Sequence, residues 1–279
     1  MSILKKMLVR LPVKKSYLRM AWDATAKGQN ELALQLFKMA YEQETDSEKK
    51  AEAAWNVYVD YKNKEKYHEA YLWCEKTARF GFVKAMRILG KAYYYGLGVI
   101  PNYRLAAKWF KAGADKSDPT CIRLLGECYI HGKGVLPNMS KAYSYFKTAY
   151  DMNEPGSYYW MGLAYRYGAA GIEVDIQKAL NIWLDGQNNS RCLCELGKCY
   201  YWGCGLAKDK DLAYKYFKMV SDRGKDFADN YLTYDKSGLV DEDKVEELSR
   251  YSDIRKIFSK SPEEGMEAAL EGQGHPVMQ

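Results

Sequence analysis

The chain has 279 residues, 42 Lys and Arg against 36 Asp and Glu for a net charge of +6, and 14% aromatic residues. No stretch approaches the roughly 18 to 20 unbroken apolar residues that span a bilayer. Lys5, Lys6, Arg10, Lys14, Lys15 and Arg19 occupy the region where a signal peptide would hold an apolar run, so neither a membrane span nor export by a signal peptide is expected. The charge is unevenly placed: residues 1–20 hold six Lys or Arg and no acid, whereas residues 226–279 hold 13 acids against six bases. A basic start of this kind reads first as a solvated end and second as an anion-binding arm.

In chain order, residues 1–14 form the basic segment and residues 15–81 two degenerate helix pairs. In the first pair, Tyr17, Met20, Ala21 and Ala24 fall at helical spacing, Gly28-Gln29-Asn30 breaks the pattern, and Ala33, Phe37 and Ala40 follow. In the second, Ala54, Val57, Tyr58 and Tyr61 precede a Lys-Asn-Lys-Glu-Lys turn, then Ala70, Cys74 and Thr77. Small residues flanking an aromatic at i, i+4 and i+7 predict a close hairpin, with alanine giving room and the ring filling the groove beyond.

Residues 82–224 hold one pattern four times, Leu-Gly-x-x-Tyr-x-x-Gly-x-Gly followed by Ala-x-x-x-aromatic. The copies are Leu89, Gly90, Tyr93, Gly96, Gly98, Ala106, Phe110; Leu125, Gly126, Tyr129, Gly132, Gly134, Ala142, Phe146; Met161, Gly162, Tyr165, Gly168, Gly171, Ala179, Trp183; and Leu196, Gly197, Tyr200, Gly203, Gly205, Ala213, Phe217. Their glycines recur at 36, 36 and 35 residues, the signature of a stacked repeat array. The later glycines of each copy end the first helix and reverse the chain. Gly90, Gly126, Gly162 and Gly197 lie inside helices, where glycine costs about 1 kcal/mol against alanine, so a packing gain from close approach is expected there. Pro101 and Pro137, each followed by Asn, keep the loop from extending the first helix. The third copy has one extra residue in Gly168-Ala169-Ala170-Gly171, which predicts a local bulge and not a lost repeat. Residues 225–260 read as a half repeat with Ala228 and Leu232 in phase, then a capping helix on Val245, Leu248, Tyr251 and Ile254. In 261–279, Ser261 and Pro262 open a short helix before a disordered tail.

These motifs, clearest at Ala85–Val99 with Ala106–Phe110 and at Cys121–Val135 with Lys141–Phe146, closely resemble the Sel-one-like repeat (SLR) family, relatives of the tetratricopeptide repeats. The first two pairs look more like plain tetratricopeptide repeats because their loops are shorter. The resemblance implies an all-α, right-handed α-solenoid of antiparallel helix pairs, here with a C-terminal capping helix, and a role in protein–protein assembly. It implies no enzyme and no cofactor.

The residues themselves offer little chemistry. His68, His131 and His275 have no nucleophile or acid at a motif spacing. Ser144-Tyr-Phe-Lys147 fits the Ser-x-x-Lys of penicillin-binding enzymes, and some exported SLR proteins are linked to penicillin binding. Ser47-Glu-Lys-Lys50 fits as well, though, and no Ser-Asp-Asn or Lys-Thr-Gly accompanies either. Cys192, Cys194, Cys199 and Cys204 lack a Cys-x(2–4)-Cys knuckle, so no zinc site is expected. Cys192 and Cys199 should point into the hairpin and Cys194 away. Cys121 and Cys192 replace Ala85 of the first copy, and Cys128 and Cys199 replace Ala92. They fill slots for small apolar side chains, which with the odd count of seven cysteines points to a reducing cytoplasm.

In arrays of the resembled kind the first helices line the concave groove, at positions two before and two, five and six after the motif leucine. That rule points to Arg87, Lys91, Tyr94 and Tyr95; Arg123, Glu127, Ile130 and His131; Tyr159, Leu163, Arg166 and Tyr167; and Cys194, Lys198, Tyr201 and Trp202. Aromatics and Arg are enriched at interface hot spots, so a basic, aromatic groove is expected, with about half of its aromatics packing between adjacent first helices. The expected function is a bacterial, monomeric scaffold or adaptor for a protein or peptide partner of acidic character. A regulator is the broad form, and the neutralising (immunity) partner of a toxin or effector the narrower one that SLR proteins suggest. The alternative is a nucleic-acid or anionic-surface binder using the basic start and groove.

Overall fold

The computed structural model describes residues 16–169 and 171–223. The expected basic segment, half repeat, capping helix and terminal helix lie outside these residues. The chain divides into two compact units, Met1–Gly113 and Ala114–Gln279. Among the described residues both are all-α, with twelve helices in total and one isolated bridge between Ala169 and Ile172.

In the first unit, α1 (Tyr17–Ala26) pairs with α2 (Asn30–Gln43), and α3 (Ser47–Asn63) with α4 (Tyr67–Arg79). The third pair is α5 (Val83–Tyr95) with α6 (Tyr103–Ala114), joined through Gly90 and Phe110. The expected small-aromatic-small stripe of α2 is buried as Ala33, Phe37 and Ala40, against Ala21 and Ala24 of α1. Ala54, Val57, Tyr58, Ala70, Cys74 and Thr77 are buried likewise in the second pair.

In the second unit, α7 (Pro119–His131) pairs with α8 (Met139–Asp151), α9 (Ser157–Tyr167) with α10 (Ile176–Asp185), and α11 (Ser190–Trp202) with α12 (Lys210–Ser221). Its core joins Phe146, Trp160, Leu163, Trp183, Cys192, Leu196 and Cys199. Helices α9 and α11, the first helices of neighbouring hairpins, touch directly. Each unit is thus an α-solenoid of antiparallel helix pairs.

The helix-interior glycines are where the hairpins close. Gly90 lies against the ring of Phe110, Gly126 against Phe146, Gly162 against Trp183 and Gly197 against Phe217. A Cβ on Gly126 would stand 2.7 Å from Phe146 Cε1, well inside van der Waals contact. All four rings are buried. Trp183 adds a polar atom that its phenylalanine counterparts lack, and its Nε1–H donates to the Tyr159 carbonyl at 3.3 Å.

One element of the inter-helix loop recurs unchanged. The backbone N–H groups of Asn102, Asn138, Asp175 and Asp209 donate to the carbonyls of Tyr93, Tyr129, Tyr165 and Tyr200 at 2.8, 3.0, 2.8 and 2.9 Å. Their side chains then cap the second helix, accepting from the N–H of Leu105, Lys141, Lys178 and Leu212. In the third copy the extra residue is taken up where Ile172 N–H donates to the Ala169 carbonyl at 2.9 Å, so the Tyr165–Asp175 bond and the repeat survive.

The turn from one hairpin to the next also recurs. Gly81, Ser117 and Asn153 each donate an N–H to the carbonyl three residues back, at φ of 89°, 61° and 57°. Only glycine takes this left-handed conformation without steric cost.

Two predictions follow from these contacts. Gly126→Ala should lower stability by about 1–3 kcal/mol through overpacking against Phe146, and pairing it with Phe146→Leu should recover part of the loss, as read from urea unfolding midpoints. Conversely, Ser117→Gly should raise the midpoint by the equivalent of about 0.5–1 kcal/mol, because it relieves an exposed left-handed residue.

Candidate partner-binding face

The groove positions expected from the sequence lie on α5 in the first unit and on α7, α9 and α11 in the second. In the first unit, Arg87 and Lys91 are half-buried on α5. Tyr94 is buried, its ring 4.9 Å from Tyr95, 5.6 Å from Tyr103 and 6.1 Å from Phe110, so it packs within its own hairpin. The next residue, Tyr95, is 55% exposed.

In the second unit the expected cations are built into a row of ion pairs. On α7, Arg123 Nη1 contacts Glu127 Oε1 one turn along, and its Nε lies 2.9 Å from Glu154 Oε2 in the turn before α9. Glu154 also accepts from the Ser157 N–H at the start of α9, at 2.9 Å. The guanidinium lies against Gly156, where any Cβ would collide with it. Glu127 accepts a second bond, from Trp160 Nε1–H on α9 at 3.0 Å, and so ties α7 to α9. On α9, Arg166 Nη1 donates to Glu195 Oε2 of α11 at 3.0 Å, and Lys198 Nζ reaches Glu195 Oε1 at 2.8 Å. Burial works against both arginine cations, yet Glu127 and Glu154 around Arg123, and Glu195 beside Arg166, outweigh it and hold both guanidiniums above their ordinary range.

The row is asymmetric toward solvent. The Arg123 side chain is 14% exposed against 7% for Glu127, and Arg166 10% against 5% for Glu195. Each cation is the more exposed member of its pair, and all of these side chains are largely buried.

The remaining groove positions divide between core and rim. Ile130, Tyr159, Leu163, Cys194 and Tyr201 are buried. Tyr159 lies 5.1 Å from the Trp160 ring, with the exposed Arg191 guanidinium 5.4 Å above its own. His131 is exposed, edge-on to Trp160 at 6.0 Å. Tyr167 is half-buried beside the Arg166 guanidinium at 5.1 Å, and Trp202, 37% exposed, packs edge-on against Tyr201 at 4.9 Å. Cys192 and Cys199 enter the hairpin core, as the spacing predicts. Cys194 does not escape burial: it lies with Tyr201, Ala213 and Phe217, because a first helix in an array is covered on more than one side.

Of the three acids in these ion pairs, the sequence pointed to Glu127 and not to Glu154 or Glu195. Glu127 was legible at i+4 from Arg123, but Glu154 and Glu195 stand 31 and 29 residues from their arginines, where no local pattern links them. Arg191 was also missed, lying outside the positional rule. The Ser-x-x-Lys match has a plain local geometry: Ser144 Oγ–H donates to the Lys141 carbonyl at 2.8 Å, and Lys147 pairs with Asp151. Among the described residues no three His, Cys, Asp or Glu side chains converge as metal ligands, and no helix is long and apolar enough to cross a membrane.

Removing one member of a buried pair leaves the other uncompensated. Glu195→Ala should therefore cost about 3–5 kcal/mol, whereas the double variant Glu195→Ala/Arg166→Met should lose less than the single one, as read by urea denaturation.

Comparison with known proteins bears on the fold. The Sel1 repeat family model matches residues 25–44, 83–118, 119–154, 155–183 and 190–225. No curated protein matches the sequence. Among solved structures, the chain is similar to a Sel1 repeat protein from Oxalobacter formigenes, with 22% identity, a TM-score of 0.60, and coverage of 86% of this chain and 99% of that one. It is also similar to a protective antigen of uropathogenic Escherichia coli strains that displays an SLR fold, with 20% identity, a TM-score of 0.60, and coverage of 98% of this chain and 57% of that one. The repeat closed by a ring on a helical glycine, present four times and matched by the family model over more than half of its length, makes this chain a member of the Sel1 repeat family.

Proposed function

We propose that this protein is a scaffold that binds a protein or peptide partner of acidic character on the first-helix face of its second unit. Sel1 and tetratricopeptide repeats are in general protein–protein interaction scaffolds. The observation that carries the finer reading is the uneven exposure of that face, where Arg123, Arg166 and Lys198 are each more exposed than the Glu127, Glu154 and Glu195 carboxylates that hold them. Such an arrangement is preorganised, so an incoming carboxylate meets fixed cations and little side-chain entropy is lost on binding. Arg191, His131 and Trp202 supply an exposed rim of the residue types favoured at hot spots.

Regulator or adaptor is the broad form of this proposal. Neutralisation of a bacterial toxin or effector is the narrower form, resting on family resemblance, and the buried thiols that fill core slots favour a reducing cytoplasm as its setting.

The test uses rim residues, because substituting Arg123 or Arg166 would disturb folding as well as binding. Arg191→Glu/Trp202→Ala should keep native helicity and a cooperative unfolding transition while weakening binding of the partner, once identified by affinity capture, at least about tenfold, or ~1.4 kcal/mol. Unchanged affinity would remove the face from consideration. A dominant, sequence-indifferent affinity for nucleic acid that falls several decades over a few-fold rise in salt would replace the proposal with the alternative reading.

A further inference from the structure

The hairpin of the fourth motif copy, α11 with α12, differs from the others at the C-terminus of its first helix. Where a helix ends on a left-handed glycine, the residue after the glycine donates its N–H to the carbonyl five residues back, and this turn frequently brings the two side chains onto the same side of the helix end. That bond joins Leu97 to Ala92, Lys133 to Cys128 and Cys204 to Cys199, each at 3.0 Å. In the last of these three, both side chains are thiols. Both sulfurs also meet one guanidinium: Arg166 Nη1 lies 3.7 Å from Cys199 Sγ and Nη2 3.7 Å from Cys204 Sγ. Cys199 is fully buried in the core, whereas Cys204 sits in the loop and is half-buried. A reachable thiol therefore stands in front of an enclosed one, with a cation between them that disfavours a bound metal ion.

We propose that Cys204 and Cys199 form a redox modification site for low-molecular-weight disulfides of the glutathione class. The Cys204 thiolate attacks the small disulfide, forming a protein mixed disulfide and releasing one small thiolate. The first small thiolate takes the Cys199 proton, and the Cys199 thiolate so formed attacks the Cys204 sulfur, expelling the second small thiolate, which is protonated from solvent. In sum, two protein thiols are oxidised to one intramolecular disulfide and one small disulfide is reduced to two thiols. Arg166 contributes hydrogen-bond donors facing both sulfurs. Burial pushes Cys199 up to about 12, which makes Cys204, in the loop, the sulfur that meets the small disulfide first. Burial likewise pushes Cys192 and Cys194 up to about 12, and neither shares the helix-end geometry. The bond would close a loop containing Tyr201 and Trp202 and fix that end of α11. The thiol chemistry does not depend on the partner proposed above.

The full chain is incubated with oxidised glutathione, quenched in acid, denatured, alkylated with N-ethylmaleimide and digested with trypsin. Cys199 and Cys204 share one tryptic fragment, running from Cys199 to Lys208. The expected result is a fragment lighter by two hydrogens that dithiothreitol restores to the reduced mass, while Cys199→Ala stops at a Cys204–glutathione mixed disulfide. Alanine occupies the equivalent position as Ala92. Should that variant not fold, Cys204→Ser must abolish the mass loss. The proposal is overturned if the wild-type protein, with its helicity intact, halts at the mixed disulfide, keeps both thiols alkylated, or forms its bond through Cys192 or Cys194.

Discussion

The contact on which the rest of the structure depends is an aromatic ring laid against a glycine inside a helix. Each of Gly90, Gly126, Gly162 and Gly197 gives up about 1 kcal/mol of helix propensity. In return a Phe or Trp from the second helix is buried, worth roughly 1.5–3 kcal/mol by area. The sign of that balance explains why the glycine recurs. Once ring and glycine fix the separation of the two helices, the path between them is short, and the Tyr carbonyl at the end of the first helix meets the capping Asn or Asp of the second. The third copy shows how strong this constraint is, since the bond between Tyr165 and Asp175 is in place despite an inserted residue.

Against this shared frame, the second unit carries charges that the frame does not require. Buried ion pairs are costly to desolvate and often add little net stability, so the row from Arg123 through Glu127 and Glu154 to Arg166, Glu195 and Lys198 is better understood as a device for orientation. It links α7 to α9 through Trp160 and α9 to α11 through Glu195, and it fixes the position of each cation against its carboxylate. A face set in this way has one charge arrangement to offer.

The positional rule assigned the candidate face to particular first helices but carried nothing about the state of each side chain. Tyr94 and Tyr95 satisfy the same positional rule, yet the first turns into its hairpin against Phe110 and the second faces solvent. Adjacent residues on a helix are separated by about 100°, and the shape of the neighbouring helices decides which side is covered. Arg166 reads as a free cation from its surroundings in the chain, and Glu195 changes that from 29 residues away. Cys194 reads as outward-pointing from its offset to Cys192 and is nevertheless enclosed with Tyr201 and Phe217.

The amino-acid sequence alone determined the helices, their pairing, the repeat period and the places where glycine must stand, because these depend on neighbours within one hairpin, where spacing of three, four or seven residues is visible in the order of the chain. Tertiary structure alone decided the pairing of Arg123 with Glu154 and Arg166 with Glu195, the burial of Tyr94, Tyr159 and Tyr201, and the meeting of Cys199 and Cys204 on one guanidinium. Each of these depends on how side chains from separate elements come together in space, and local periodicity carries no information about that.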